Sequence, residues 1–136
     1  MKKGLKALLI VLAVIAVLVI AGAVAIPRLI AGIEKKLETV VQIEIADIDL
    51  STVPDGTYQG SYEAMPVAAE VEVTVKDHSI TAIELVKHSH GRGSAAEVIP
   101  DRVVAAQSLQ VDAVSGATHS SKVILLAIED ALKSAK

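Results

Sequence analysis

The run Asp112-Ala113-Val114-Ser115-Gly116-Ala117-Thr118 sets a hydroxyl nucleophile on a turn of small residues, just ahead of an apolar, helix-patterned C-terminus. Small residues let a second backbone or a phosphate approach closely, and the first free N–H groups of a helix form an anion site. The chemistry that suits this arrangement is a phosphate ester on Thr118. A second reading is available from the residues alone. Ser-Gly-Ala-Thr followed by His119-Ser120-Ser121 also serves as a loop closing on a helix N-cap, where hydroxyls satisfy orphan N–H groups. A threonine hydroxyl is a poor nucleophile without a base or metal to activate it, and no complete catalytic set for that task is recognisable in the chain.

Two further clusters flank the run. His88-Ser89-His90-Gly91-Arg92-Gly93 sits at a strand exit, where two glycines let the backbone lie against a flat ligand. His88, His90 and His119 could also be considered as a metal site, since imidazoles two apart on a strand end point the same way. No clear third ligand lies nearby in sequence, and no metal ligand is assigned. Tyr58 can stack on a ring or simply pack, and Arg102 and Gln107 can reach a ligand or face water. Glu129-Asp130 reads as a solvated helix face.

The elements that must position these residues follow from patterning. Strands are expected at Gly56 to Glu63, Val67 to Lys76 and Ser79 to Lys87, the last two joined by an Asp77-His78 turn into a hairpin. Val71, Val73 and Val75 alternate with Glu70, Glu72 and Thr74, so one sheet face is apolar and needs a cover. That cover is expected from helices at Ser94 to Gln107, bent or restarted at Pro100, and at Ser120 to Ser134. A small antiparallel sheet covered by two helices is an α+β fold.

Ahead of this domain the chain is of another kind. From Ala7 to Pro27 no residue is charged, and about 20 apolar residues suffice to cross the hydrocarbon core. Lys2, Lys3 and Lys6 on one side are matched by Arg28, Lys35 and Lys36 on the other, so the positive-inside count is close to a tie. The apolar run exceeds a usual signal-peptide core, which favours an uncleaved anchor. Arg28 to Thr39 continues a helical pattern, and Val41 to Leu50 reads as an edge strand or an extended linker. The expected organisation is residues 1–30 as N-terminus and transmembrane anchor, 31–53 as juxtamembrane helix and linker, and 54–136 as the folded domain.

Composition excludes several functions. From Ala31 onward there are nine Lys/Arg and sixteen Asp/Glu, a balance of −7. Nucleic acid is an unsuitable partner for such a surface, and with Tyr58 and Tyr62 as the two aromatics there is no base-stacking platform. Cysteine is absent, which removes disulfides, thiol redox chemistry and cysteine-held clusters.

With Asp55-Gly56-Thr57-Tyr58-Gln59-Gly60, the His88 to Gly93 loop, and Asp101-Arg102 through Gln107-Ser108 in that order, the Asp112 to Thr118 run resembles the flavinylation motif of the FMN-binding domain family. That domain occurs in the C subunit of the sodium-pumping NADH:quinone reductase and the G subunit of the Rnf complex. Its pattern, Asp-x-x-Ser/Thr-Gly-Ala-Thr, is filled at every fixed position. The resemblance runs from about Pro54 to the C-terminus. It implies FMN joined through its phosphate to Thr118 by a separate magnesium-dependent flavin transferase that uses FAD and releases AMP. It also implies that Asp112 is read by the transferase, unless it serves an Asx turn or a cap. Ser115 and Gly116 then shape the loop, Ala117 lets the flavin chain pass, and the loop of His90, Gly91, Arg92 and Gly93 borders the flavin.

The expected function is that of a membrane-anchored extracytoplasmic flavoprotein, with its C-terminal domain outside the cytoplasm, relaying electrons between a membrane donor and an external acceptor. It would be an electron-transfer carrier rather than a stand-alone enzyme, since the chain lacks a dinucleotide fingerprint and a second redox centre. The alternatives are a non-covalent FMN-binding module, or an anchored structural domain without cofactor.

Overall fold

The computed structural model describes residues 2–91 and 93–135, and only the backbone of Leu37. The first helix, α1, runs over Lys2–Gln42. The chain divides into two units, the first ending at Lys35 and the second beginning at Lys36. Within the first unit Leu9, Ile10, Leu18, Val19 and Ile20 are all more than half exposed. The best 18-residue window of α1 has a mean hydropathy of 3.3 and no burial. A helix that is apolar all round and uncovered by protein is long and apolar enough to cross a membrane. Pro27 lies inside it.

The second unit is built on an antiparallel sheet in the order β1-β2-β3, with β1 at Gly56–Ala64, β2 at Val67–Lys76 and β3 at Ser79–Ser89. Asp77 and His78, with φ of 51° and 60°, form the turn between β2 and β3. Positive φ at both central residues matches the right-handed twist of a tight hairpin, and the Asp77 N–H donates to Asp55 Oδ1 at 2.9 Å. Along β2 the residues Val67, Ala69, Val71, Val73 and Val75 are buried, while the alternate positions are half-buried or exposed. This period-2 pattern is the one the sequence predicts.

The buried face is covered by two helices, as expected. Helix α3, Thr118–Ser134, lies on β1 and β2, and the shorter α2, Ile99–Ala106, lies beside β3. Val123, Ile124, Ala127, Ile128, Ala131 and Leu132 of α3 have no exposed surface and share one core with Val71, Val73 and Val75. Gly60 sets how close α3 can come. A Cβ there would stand 2.1 Å from Ala127 O and 2.4 Å from Ala131 N, so only glycine admits the helix backbone at this distance. The resulting architecture is α+β, with an N-terminal apolar helix preceding it.

Three local expectations are refined. Ser94 to Gln107 is a 3-10 segment over Ser94–Val98 followed by α2, with Pro100 in the first turn of α2 where its missing N–H costs nothing. The last helix begins at Thr118 rather than Ser120. Of the two readings for Val41 to Leu50, the extended linker is the one formed. Helix α1 persists to Gln42, and residues 43–49 pair with no strand. Side chains hold them instead: Gln110 Nε2 donates to Ile45 O at 2.8 Å and Ser108 Oγ to Asp47 Oδ1 at 3.1 Å.

Candidate functional site

The loop from Asp112 to Ala117 is fixed from two sides. Arg102, on α2, donates from Nη1 to Asp112 O at 3.2 Å. From beneath, Ser121 is fully buried; its Oγ accepts from Val114 N at 2.9 Å and donates to Ala117 O at 2.8 Å. Ser115 and Gly116 make the turn between these anchors, closed by Ala117 N donating to Val114 O at 2.9 Å. Gly116 has a φ of 80°, the left-handed region that glycine enters without steric cost. The loop thus owes its shape to Arg102 and Ser121.

At the end of this loop the N-cap of α3 is Ala117, which offers no side-chain acceptor. The hydroxyl-capped helix start that the sequence also allows is therefore not formed. Thr118 is the first residue of α3 and is exposed, and its hydroxyl forms no hydrogen bond among the described residues. An uncapped helix start with a free hydroxyl at its first position is suited to holding a phosphate ester.

Thr118 lines a cleft of about 390 Å³ whose other walls include Val41, Ile45, Asp112, Lys122 and Leu125. One wall therefore comes from residues at and just after the end of α1, which the sequence motif does not announce. Lys122, four residues along α3, lines the same cleft as Thr118. Its signal in the sequence was the i, i+4 spacing from Thr118, which sets both on one helix face.

A second cleft, of about 220 Å³, is lined by Pro66, Gly91, Gly93, Gly116, Ala117 and His119 among others. The two glycine-bearing stretches, separated in sequence by α2, meet here at the start of α3. Gly93 sits so close that a Cβ on it would be 1.9 Å from Ser120 Oγ. Bare backbone on both sides gives a surface against which a planar ligand can lie. Arg92 falls outside the described residues.

The remaining sequence candidates have other duties. His90 faces Glu97, with Nε2 3.6 Å from the carboxylate, and His88 Nδ1 is 3.2 Å from the same oxygen. Thus the third member of the histidine cluster is Glu97, and His119 is not part of it. Tyr58 donates its hydroxyl to Pro54 O at 2.7 Å, anchoring the start of β1. Gln107, in the left-handed conformation at the end of α2, pairs with Ile80 through both its amide atoms at 2.8 Å. It therefore ties α2 to β3 and faces neither cleft.

The solvated face that the sequence suggests at Glu129-Asp130 holds for Asp130, which is exposed, and not for Glu129. Glu129 is 6% exposed and pairs with Lys133 one turn later. Asp130 Oδ2 accepts from Ser61 N at 3.0 Å, filling a backbone donor on β1. Asp130 thereby serves the helix–sheet contact, while Glu129 is paired within α3.

An uncharacterized protein of Treponema pallidum (strain Nichols) is 34% identical over 82 residues, covering 58% of this chain and 23% of that protein. The chain therefore spans about a quarter of the length of this curated relative. No solved structure matches the chain. Residues 67–133 match the profile of the FMN-binding domain. The matched segment begins at β2, and β1 joins it through a continuous antiparallel register from Gly56↔Val75 to Ala64↔Val67. Both clefts at the start of α3 draw on that segment, and by this match the chain belongs to the FMN-binding domain family.

Proposed function

We propose that this protein is a membrane-anchored, extracytoplasmic flavoprotein that carries FMN covalently on Thr118 and relays electrons between a membrane donor and an external acceptor. The observation that carries the reading is the exposed, unbonded hydroxyl of Thr118 at an uncapped helix start, inside a filled Asp-x-x-Ser-Gly-Ala-Thr pattern. The residues present fit the group. A phosphodiester at Thr118 would face the free N–H groups of the first turn of α3, with the Lys122 ammonium on the same helix face offsetting its charge. Gly91, Gly93, Gly116 and Ala117 offer bare backbone to a flat ring. When bound, FMN supplies the one- and two-electron chemistry, and the protein supplies its tether and orientation.

Attachment is assigned to a separate transferase working with FAD and magnesium. The Thr118 hydroxyl loses its proton, a P–O bond forms to the FMN phosphorus, the pyrophosphate bond of FAD breaks, and AMP leaves. Asp112 lies at the exposed end of the loop where another protein can read it. Its backbone, rather than its carboxylate, is engaged by Arg102. Helix α1 provides the anchor. Outside the cytoplasm a dissociated FMN is lost by diffusion, which a covalent bond prevents.

The test is intact-mass measurement of the full chain produced with and without the transferase. Added FMN less one water is expected only with the transferase, and Thr118→Val should abolish it while leaving the circular dichroism spectrum unchanged. Covalent flavin retained by Thr118→Val would refute the site. Unmodified protein that still binds FMN reversibly would instead identify a non-covalent module.

A further inference from the structure

We propose that His88, His90 and Glu97 form a binding site for a divalent transition metal of the zinc class, separate from the Thr118 hydroxyl. The topology assembles it. His88 is the penultimate residue of β3 and His90 directly follows the strand, so the two side chains leave the same side of the chain. The 3-10 segment Ser94–Val98 then turns back and sets Glu97 against both rings. One ligand atom from each residue lies within 4.8 Å of the others.

The distances suit the ion. Two ligands bound at about 2.1 Å to a tetrahedral centre stand about 3.4 Å apart. The Glu97 oxygen is 3.2 Å from His88 Nδ1 and 3.6 Å from His90 Nε2. The His88 side chain is 2% exposed, that of His90 26% and that of Glu97 48%. The site is thus rigid at its floor and open at its mouth, where Glu97 can adjust and water can complete the coordination.

The protein atoms alone leave this cluster unbalanced. His88 Nε2 and His90 Nδ1 are buried and form no hydrogen bond among the described residues. These are the ring nitrogens opposite the ones that face Glu97, so the two rings meet the carboxylate, and would meet an ion, through His88 Nδ1 and His90 Nε2. The ring centroids are 4.5 Å apart, so two imidazolium charges would repel while sharing one carboxylate. A divalent cation is held by ring lone pairs with neither imidazole protonated. Two imidazoles and one carboxylate select zinc, copper, nickel or iron over calcium and magnesium, which prefer oxygen. Bound there, the ion would clamp the end of β3 to the 3-10 segment, next to Gly91 and Gly93 of the second cleft.

The experiment is zinc titration by calorimetry, with metal content by mass spectrometry, on the untagged full chain in detergent, both with and without attached flavin. About one zinc per chain is expected in each preparation, with affinity falling by about tenfold or more in Glu97→Gln and in His90→Gln. Neither variant touches the buried His88, and equal melting curves without metal would show that both fold. His119→Gln should bind zinc as the parent does. Cobalt(II) added to flavin-free Thr118→Val should give visible d–d absorption that Glu97→Gln lacks. Zinc content at background, or equal affinity in the parent and both variants, would overturn the site and leave only a hydrogen-bonded pair. Loss of binding in His119→Gln would overturn the assignment of Glu97. Because flavin-free protein is included, neither failure depends on whether FMN attaches to Thr118.

Discussion

Replacing Ser121 by alanine removes one oxygen and two hydrogen bonds from beneath the Thr118 loop, and the cost can be worked bond by bond. Ala117 O, which accepts from Ser121 Oγ at 2.8 Å, keeps a second donor because Ser121 N also reaches it at 2.9 Å. Val114 N, whose acceptor is Ser121 Oγ at 2.9 Å, has no such replacement and is left part-buried without a partner. A lost hydrogen bond costs about 1 kcal/mol and an orphaned donor about another 1 kcal/mol, so the substitution should destabilise the domain by about 2 kcal/mol. For a unit of this size that corresponds to a fall in Tm of about 10 °C. The assay is thermal and urea unfolding of the full chain followed by circular dichroism, with amide exchange at Val114 as the local readout. Ser120→Ala is the internal control. Ser120 is also a buried residue, but its hydroxyl forms no hydrogen bond among the described residues and is not an orphaned buried atom, so its removal should change stability by less than about 0.5 kcal/mol. Equal effects of the two substitutions, or unchanged exchange at Val114, would refute the claim that Ser121 holds the loop.

Gly60→Ala forces a Cβ into the backbone of α3, 2.1 Å from Ala127 O. It should cost about 3 kcal/mol or more, read as a lowered urea midpoint, and an unchanged midpoint would show that α3 can shift freely on β1. Lys122→Gln keeps the length of the side chain but removes its charge from the cleft of Thr118. It should slow flavin attachment about fivefold, by roughly 1 kcal/mol of lost phosphate stabilisation, with stability unaltered; an equal initial rate by intact-mass time course would exclude Lys122 from the site. Asp112→Ala should lower the yield of modified protein without changing Tm, because the carboxylate is exposed and the loop is held through the Asp112 carbonyl. Unmodified stability together with full modification would show that the transferase does not read this side chain.

Much of the fold is legible before any coordinates because short-range patterning governs it. The alternation in Val67–Lys76 can bury one face only as a strand, and Asp77-His78 is a turn that two positive-φ positions can form. The uncharged stretch from Ala7 to Pro27 fixes an apolar helix by composition alone, and the Asp112 to Thr118 run marks the candidate acceptor by residue type and spacing. What the linear order does not contain is which distant atoms satisfy which. Glu129 and Asp130 read as solvated because charge usually is, yet packing of α3 on β1 buries one and gives the other to Ser61 N. Glu97 carries no sequence sign of facing two histidines, since the 3-10 turn that returns it was not foreseen. Gln107, offered by position to a ligand, is drawn instead to the backbone of Ile80. The residues at the end of α1 become a wall of the Thr118 cleft only through bonds such as Gln110 to Ile45. Local sequence determined the elements and marked the candidate hydroxyl, through periodicity, residue type and turn stereochemistry. Tertiary packing alone decided what surrounds that hydroxyl, because buried polar groups must find partners wherever the chain brings them.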